Sequence, residues 1–232
     1  MKGKFYAIGV GIGNKEYLTL KAEKLIKKLP ILCAPISKKG KKSYALEVIK
    51  DLIDLKRQKV MEIFLPMSMD NKILKNIWDK SLEKITIELD KGFDIGFLTI
   101  GDPTFYSSFS YILSYLKKRS YEFEIVPGIT SVSLCMALAK ISLVGFNEKL
   151  AIVPAVHKLN EIKDIISKFD TVVLMKVNKV FDELRLLLKD LNLLKSSIYL
   201  KRCGMENSKI IYGIDNVKEE DLDYFSMIII KK

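Results

Sequence analysis

The chain has 232 residues, 49% of them apolar, with 39 Lys and Arg against 28 Asp and Glu and a formal net charge of +11. That length serves one large domain or two small ones, and the apolar share is enough for a sizeable core. No run of about 18 apolar residues occurs, so no membrane-spanning helix and no membrane partner are expected.

In chain order, short apolar runs alternate with helical patterns. The N-terminal MKGKFYAIGVGIG is charged and then apolar, but it is short, glycine-rich and without a small-residue cleavage site. It reads as a first strand over 5–11 rather than as a leader. Residues 19–29 set Ala22, Leu25, Ile26 and Leu29 on one helical face. A second strand, ILCAPI, spans 31–36; a helix is predicted over 44–57; a third strand over 60–66 stops at Pro66. Asp70 can cap a helix carrying Ile73, Leu74, Ile77 and Trp78. DIGFLTI (94–100) and FEIVPG (123–128) are the fourth and fifth strands. This βαβα rhythm predicts a mostly parallel sheet covered on both faces. After the helix SVSLCMALAKI the rhythm changes. KLAIVPA, TVVLMKV, SIYLKRC, KIIYGI and FSMIIIK give five more strands, with helices near 159–168 and 179–191. The last strands are close together, so the second sheet is expected to be mixed. The fold class is therefore two α/β domains, 1–147 and 148–232, divided near Gly145–Glu148.

Open α/β sheets gather ligands outside the carboxyl ends of their strands. Four such ends carry unusual residues here. Gly9, Gly11 and Gly13 follow the first strand. Their spacing is GxGxG rather than GxGxxG, and Cys33-Ala34-Pro35 offers no acid for a ribose, which argues against NAD or FAD. A tight turn and a close ligand approach both remain open for these glycines. Gly101-Asp102-Pro103 puts a carboxylate at a strand tip, suited to an ammonium group, to backbone amides, to proton acceptance or to helix capping. Thr130 and Ser131 stand at a helix N-terminus, where they can hold a carboxylate or simply cap. Met175 and Lys176 leave one strand, and Lys201, Arg202 and Cys203 leave another. Met175 suits an adenine pocket or plain core, and Arg202 suits a substrate carboxylate or a surface ion pair.

Other features carry less. His157 is the only histidine and reads as a structural or surface residue; no Ser/His/Asp set is suggested. Cys33, Cys135 and Cys203 are far apart and odd in number, which points to a reducing cytoplasm and no disulfide frame. No CxxC or His/Cys cluster predicts a metal site. The positive charge favours anionic partners, although lysines dispersed as in KAEKLIKK and the run KKGKK (38–42) also read as solvated surface.

Taken together, GVGIGN…YLTLKA, GDPTFYSSFSYI, EIVPGITS and LKRCGMENSKIIYGI resemble the tetrapyrrole methylase family, in order and over nearly the whole chain. GDPTFYSSFSYI and RCGMENSKI are most similar to the branch that methylates carbon 20 of precorrin-2. The resemblance implies a homodimer with S-adenosylmethionine in a cleft between two α/β domains. The cofactor-binding residues implied are Ile12, Gly101, Asp102, Phe105, Thr130, Ser131, Met175 and Cys203. Arg202 is implied in substrate binding, and Asp102 is the candidate proton acceptor. Ile12 stands where the family usually has proline, and Asn14 where an acid is common. The substrate implied is an anionic tetrapyrrole. Nucleic acid is not expected, although a same-fold methylase for RNA or protein, or a non-catalytic ligand-binding module, are the competing readings.

Overall fold

The computed structural model of the chain describes residues 1–38, 40–66, 71–155 and 158–232, with residues 71–73 described by their backbone alone. Asp70, Lys39 and His157, and the side chain of Ile73, lie outside that description. The chain divides into two compact units, Met1–Ser131 and Val132–Lys232.

The first unit is a five-stranded sheet of β1 (Phe5–Gly9), β2 (Ile31–Ile36), β3 (Lys59–Phe64), β4 (Ile95–Thr99) and β5 (Phe123–Val126). Their spatial order is β3-β2-β4-β1-β5, and every pairing is parallel. Successive side chains of a strand point to opposite faces, and both faces here are covered. On one, Phe5, Ala7, Ile95 and Phe97 pack with α3 (Asn71–Asp90) through Trp78, Leu82, Ile85 and Leu89. The same core takes in α4 (Phe109–Lys118) through Phe109, Ile112 and Leu116. On the other face, Ile8, Leu32 and Leu98 meet Ala22 and Ile26 of α1 (Leu20–Lys28) and Ala45, Val48 and Ile49 of α2 (Tyr44–Ile49). Burial on both sides explains why these strands read as continuous apolar runs rather than alternating ones.

The predicted helix over 44–57 is cut short. α2 ends at Ile49, a 3-10 turn takes Lys50–Leu52, and a turn follows at Asp54–Gln58. The cause is polar side-chain chemistry, local at Asp54 and long-range at Gln58. The Asp54 carboxylate accepts from Lys56 N at 3.0 Å and from Arg57 Nε at 2.6 Å. The buried Gln58 amide donates to the carbonyls of Ile26 and Leu29. Side chains that bond nearby backbone offer it an alternative to the helix.

The second unit opens with α5 (Ser131–Ala139), whose first residue closes the preceding unit. It then builds a sheet from β6 (Leu150–Pro154), β7 (Thr171–Met175), β8 (Ser197–Lys201), β9 (Lys209–Tyr212) and β10 (Ser226–Lys231). The order is β6-β7-β10-β8-β9; β6 and β7 are parallel and the other pairings antiparallel, so the sheet is mixed as expected. α6 (Leu159–Lys168) and α7 (Phe181–Asp190) cover one face through Ile162, Ile166, Phe181, Leu184 and Leu188.

Cysteine usage departs from expectation. Cys135 of α5 and Cys203, just past β8, form a disulfide with Cα atoms 5.4 Å apart. Their 68-residue separation hides the pairing in the sequence, because only folding brings α5 beside the loop after β8. Cys33 is the free cysteine among the described residues, and burial holds its thiol far above the usual range. A thiol that stays protonated and enclosed is inert. Alkylation of the unreduced protein should therefore label no cysteine when folded and one after denaturation. Reduction before denaturation should raise the count to three. Three labels without reduction would contradict the disulfide.

Candidate active site

Three neighbouring strands of the first sheet, β4, β1 and β5, end in the loops that carry the residues singled out by sequence. Their backbones meet at glycines. Gly11 and Gly101 form a bridge, with Gly101 N donating to Gly11 O at 2.7 Å and Gly11 N to Gly101 O at 3.3 Å. A Cβ on Gly128 would come within 2.1 Å of the Gly101 carbonyl oxygen and 2.8 Å of the Gly9 carbonyl carbon. A Cβ on Gly9 would meet Gly128 N at 2.6 Å. No side chain fits between these backbones, so Gly9 at the end of β1 and Gly128 after β5 are required by the distance between loops. Gly101 differs in kind. Its φ is +71°, and a Cβ there would find nothing nearer than Ile129 O at 3.9 Å. Its glycine serves a left-handed turn in which a Cβ would stand in ordinary contact with Ile129 and Thr130, so backbone conformation rather than crowding calls for it.

Asp102 fixes this arrangement. It is buried, with 9% relative exposure. One carboxylate oxygen accepts from the Thr104 N–H at 2.7 Å and from the Thr104 hydroxyl. The other accepts from Gly128 N at 3.0 Å. The carboxylate therefore ties the loop after β4 to the loop after β5. Hydrogen bonds to an ionised acceptor are stronger than neutral ones. Phe105 N closes the turn onto Asp102 O at 3.2 Å. The Phe105 ring is half-buried and meets Tyr106 edge-on at 5.1 Å. Thr130 and Ser131 are half-buried at the start of α5, and Ile12 is buried in the loop after β1. The structure thus brings Ile12, Gly101, Asp102, Phe105, Thr130 and Ser131 to one end of one sheet.

Asn14, where the family pattern favours an acid, caps a short 3-10 turn by accepting from Glu16 N at 2.8 Å. Gly9 and Gly128 are site-building residues that sequence reasoning passed over as contacts. Their signal was present in the direct succession of glycine to a strand.

Met175, Arg202 and Cys203 belong to the second unit. Met175 ends β7, buried, opposite Pro154 on one side and Met227 on the other. The Arg202 guanidinium donates from Nε to the Glu206 carbonyl at 3.0 Å and from Nη1 to Asp223 at 3.2 Å, and lies 5.9 Å from the Phe225 ring centre. The Cys203 sulfur is spent in the disulfide with Cys135, so no thiol is available at that position.

The family model for Tetrapyrrole (Corrin/Porphyrin) Methylases matches residues 4–215. A probable cobalt-precorrin-2 C(20)-methyltransferase of Methanocaldococcus jannaschii is 38% identical over 99% of this chain and 96% of its own length. The cobalt-precorrin-2 C(20)-methyltransferase of Salmonella typhimurium is 30% identical, covering 100% of this chain and 98% of its own. Among solved structures, the uroporphyrin-III C-methyl transferase of Thermus thermophilus complexed with S-adenyl homocysteine has a TM-score of 0.66. It is 16% identical, over 99% of this chain and 98% of that one, which speaks to the fold alone. The resemblance carried by GVGIGN…YLTLKA, GDPTFYSSFSYI, EIVPGITS and LKRCGMENSKIIYGI agrees with the family model and the two sequence relatives: the chain belongs to the tetrapyrrole methylase family.

Proposed function

We propose that this chain transfers the methyl group of S-adenosylmethionine to carbon 20 of precorrin-2 or its cobalt complex. The observation that carries the reading is the likeness to two C(20)-methyltransferases across essentially the entire chain. The geometry of the first unit is consistent with it. The left-handed Gly101 turn, the exposed part of Phe105 and the hydroxyls of Thr130 and Ser131 suit a folded ligand that is cationic at one end and carboxylated at the other.

S-adenosylmethionine supplies a methyl group already activated on a sulfonium. The chain is left with positioning and with excluding water, and alignment of two reactants can account for roughly 7–11 kcal/mol of a barrier. This is why a site without a Ser/His/Asp set suits the reaction. We assign Gly101, Asp102, Phe105, Thr130, Ser131 and Ile12 to the donor. Of these, Asp102 acts by holding the loops, because its oxygens already serve Thr104 and Gly128. Met175 and Cys203 are carried to the donor by family likeness, whereas the guanidinium of Arg202, expected on an arm of the macrocycle, is held by Glu206 and Asp223. A net charge of +11 raises the local concentration of a polycarboxylate substrate. The domains of the proposal are 1–147 and 148–232. They differ from the two compact units in counting α5 and the loop after it with the first. A homodimer and a cytoplasmic location rest on family likeness, since the disulfide removes the argument from cysteine usage.

Incubating the chain with labelled donor and precorrin-2, with and without cobalt, should add one methyl to the macrocycle at carbon 20. No transfer, where a known methylase transfers, would sink the proposal; transfer to RNA instead would redirect it. Asp102→Asn should weaken donor binding and lower stability by about 1–3 kcal/mol, the cost of facing an amide NH2 to one of the part-buried N–H donors. The turnover of the saturated enzyme and its pH profile should change little. A fall of about 100-fold in turnover with donor affinity intact would make Asp102 the proton acceptor instead. Gly128→Ala should cost about 1–3 kcal/mol of stability through the collision with Gly101 O, read by denaturant titration.

A further inference from the structure

Two cations close one edge of the second sheet, on either side of β10. Lys176 follows β7 and donates its backbone N–H to Ser226 O at 2.9 Å; Arg202 follows β8 and donates to Phe225 O at 2.8 Å. β7 and β8 both run antiparallel to β10. Their carboxyl ends therefore share an edge, the edge at which α/β sheets hold ligands. The two backbones stand two strand spacings apart, roughly 10 Å. Both residues are left-handed, with φ of 59° at Lys176 and 50° at Arg202. That conformation disfavours any L-residue with a Cβ, and such outliers gather at functional sites.

The two cations differ in what they touch. Arg202 is committed to Glu206 and Asp223. Asp223 is itself fixed by accepting from Phe225 N at 2.8 Å, so the ion pair belongs to the turn that starts β10. Lys176 is half-buried, and among the described residues its ammonium has no hydrogen bond or ion pair. Arg185 is also without one, but it lies along α7 and lines a depression with Asp182 and Asp215. Lys176 has no ion pair among the described residues and stands at a strand end beside Met175.

We infer that Lys176, rather than Arg202, is the carboxylate-binding cation of this edge, and that Arg202 is a positioning residue for the turn before β10. An ammonium with no partner among the described residues, on a half-buried residue at a strand end, can pair with an arriving carboxylate without first giving up another ion pair. The left-handed backbone holds the lysine in place before the ligand arrives, so less freedom is lost on binding. The inference rests on the proposed reaction only in its choice of ligands. The acidic arms of the macrocycle and the amino-acid end of the methyl donor both present a carboxylate.

Three variants of the full chain separate binding from folding. Lys176→Met removes the charge at similar volume. Lys176→Gly removes the charge and suits the backbone. Lys176→Arg keeps the charge. Affinity is read by calorimetry with S-adenosylhomocysteine and, separately, with a stable octacarboxylate porphyrin, alongside thermal melts. In the Met and Gly variants the Kd for one of the two ligands should rise about 10- to 100-fold, the worth of a charged hydrogen bond. The Arg variant should stay close to the parent. The Gly variant should melt at or above the parent temperature, because glycine tolerates the left-handed turn. A rise for the porphyrin assigns the lysine to the macrocycle, and a rise for S-adenosylhomocysteine assigns it to the donor; both support the inference. Unchanged affinity for both ligands in the Met and Gly variants overturns it. So does a loss seen in the Met variant, with a lowered melt, that the Gly variant does not share. If these shifts appear but no methyl is transferred, the proposed reaction fails and the lysine's role stands.

Discussion

The contact on which the first unit turns is backbone against backbone. Three loops leave adjacent strands and converge so closely that Gly9 and Gly128 have no room for a Cβ. Asp102 then ties two of those loops together through charge-assisted hydrogen bonds. Backbone amides and carbonyls brought this near one another cannot be screened by side chains, so the strand ends present main chain to whatever binds. Gly101, left-handed and buried among these loops, is the one of the three glycines where a Cβ would meet its neighbours at ordinary contact distance.

That constraint sets the kind of chemistry. A site made of fixed backbone groups and hydroxyls orients a reactant more readily than it shuttles protons. A methyl group delivered from a sulfonium needs orientation above all. The buried carboxylate that looked available for acid–base work is largely occupied by the architecture. In the second unit a similar division holds between Arg202, bound up in the turn before β10, and Lys176, whose ammonium has no partner among the described residues. In each unit, the charged residue that is most conspicuous in sequence serves the fold.

The sheets were legible because burial on both faces gives each parallel strand an unbroken apolar run, and ILCAPI and IGFLT could hardly be anything else. The change to a mixed second sheet was legible from strand spacing, since β8, β9 and β10 leave no room for crossover helices. The α2 boundary was not, because the Gln58 amide that helps to end the helix bonds the carbonyls of Ile26 and Leu29, far back along the chain. The pairing of Cys135 with Cys203 was hidden for the same reason, as was the engagement of Arg202 by Asp223. Sequence showed which residue types stand at the strand tips. Which of them keep free bonding capacity depends on neighbours far along the chain.

The central claim is that the converging loops of β1, β4 and β5 hold the methyl donor. A crystal structure of the chain with S-adenosylhomocysteine tests it most directly. The account predicts ligand density against the backbone of Gly101 and within hydrogen-bonding reach of Thr130 or Ser131, with the bonds from Asp102 to Thr104 and Gly128 intact. Ligand bound elsewhere with these loops bare, or an Asp102 that has left Gly128 to meet the ligand, would contradict it.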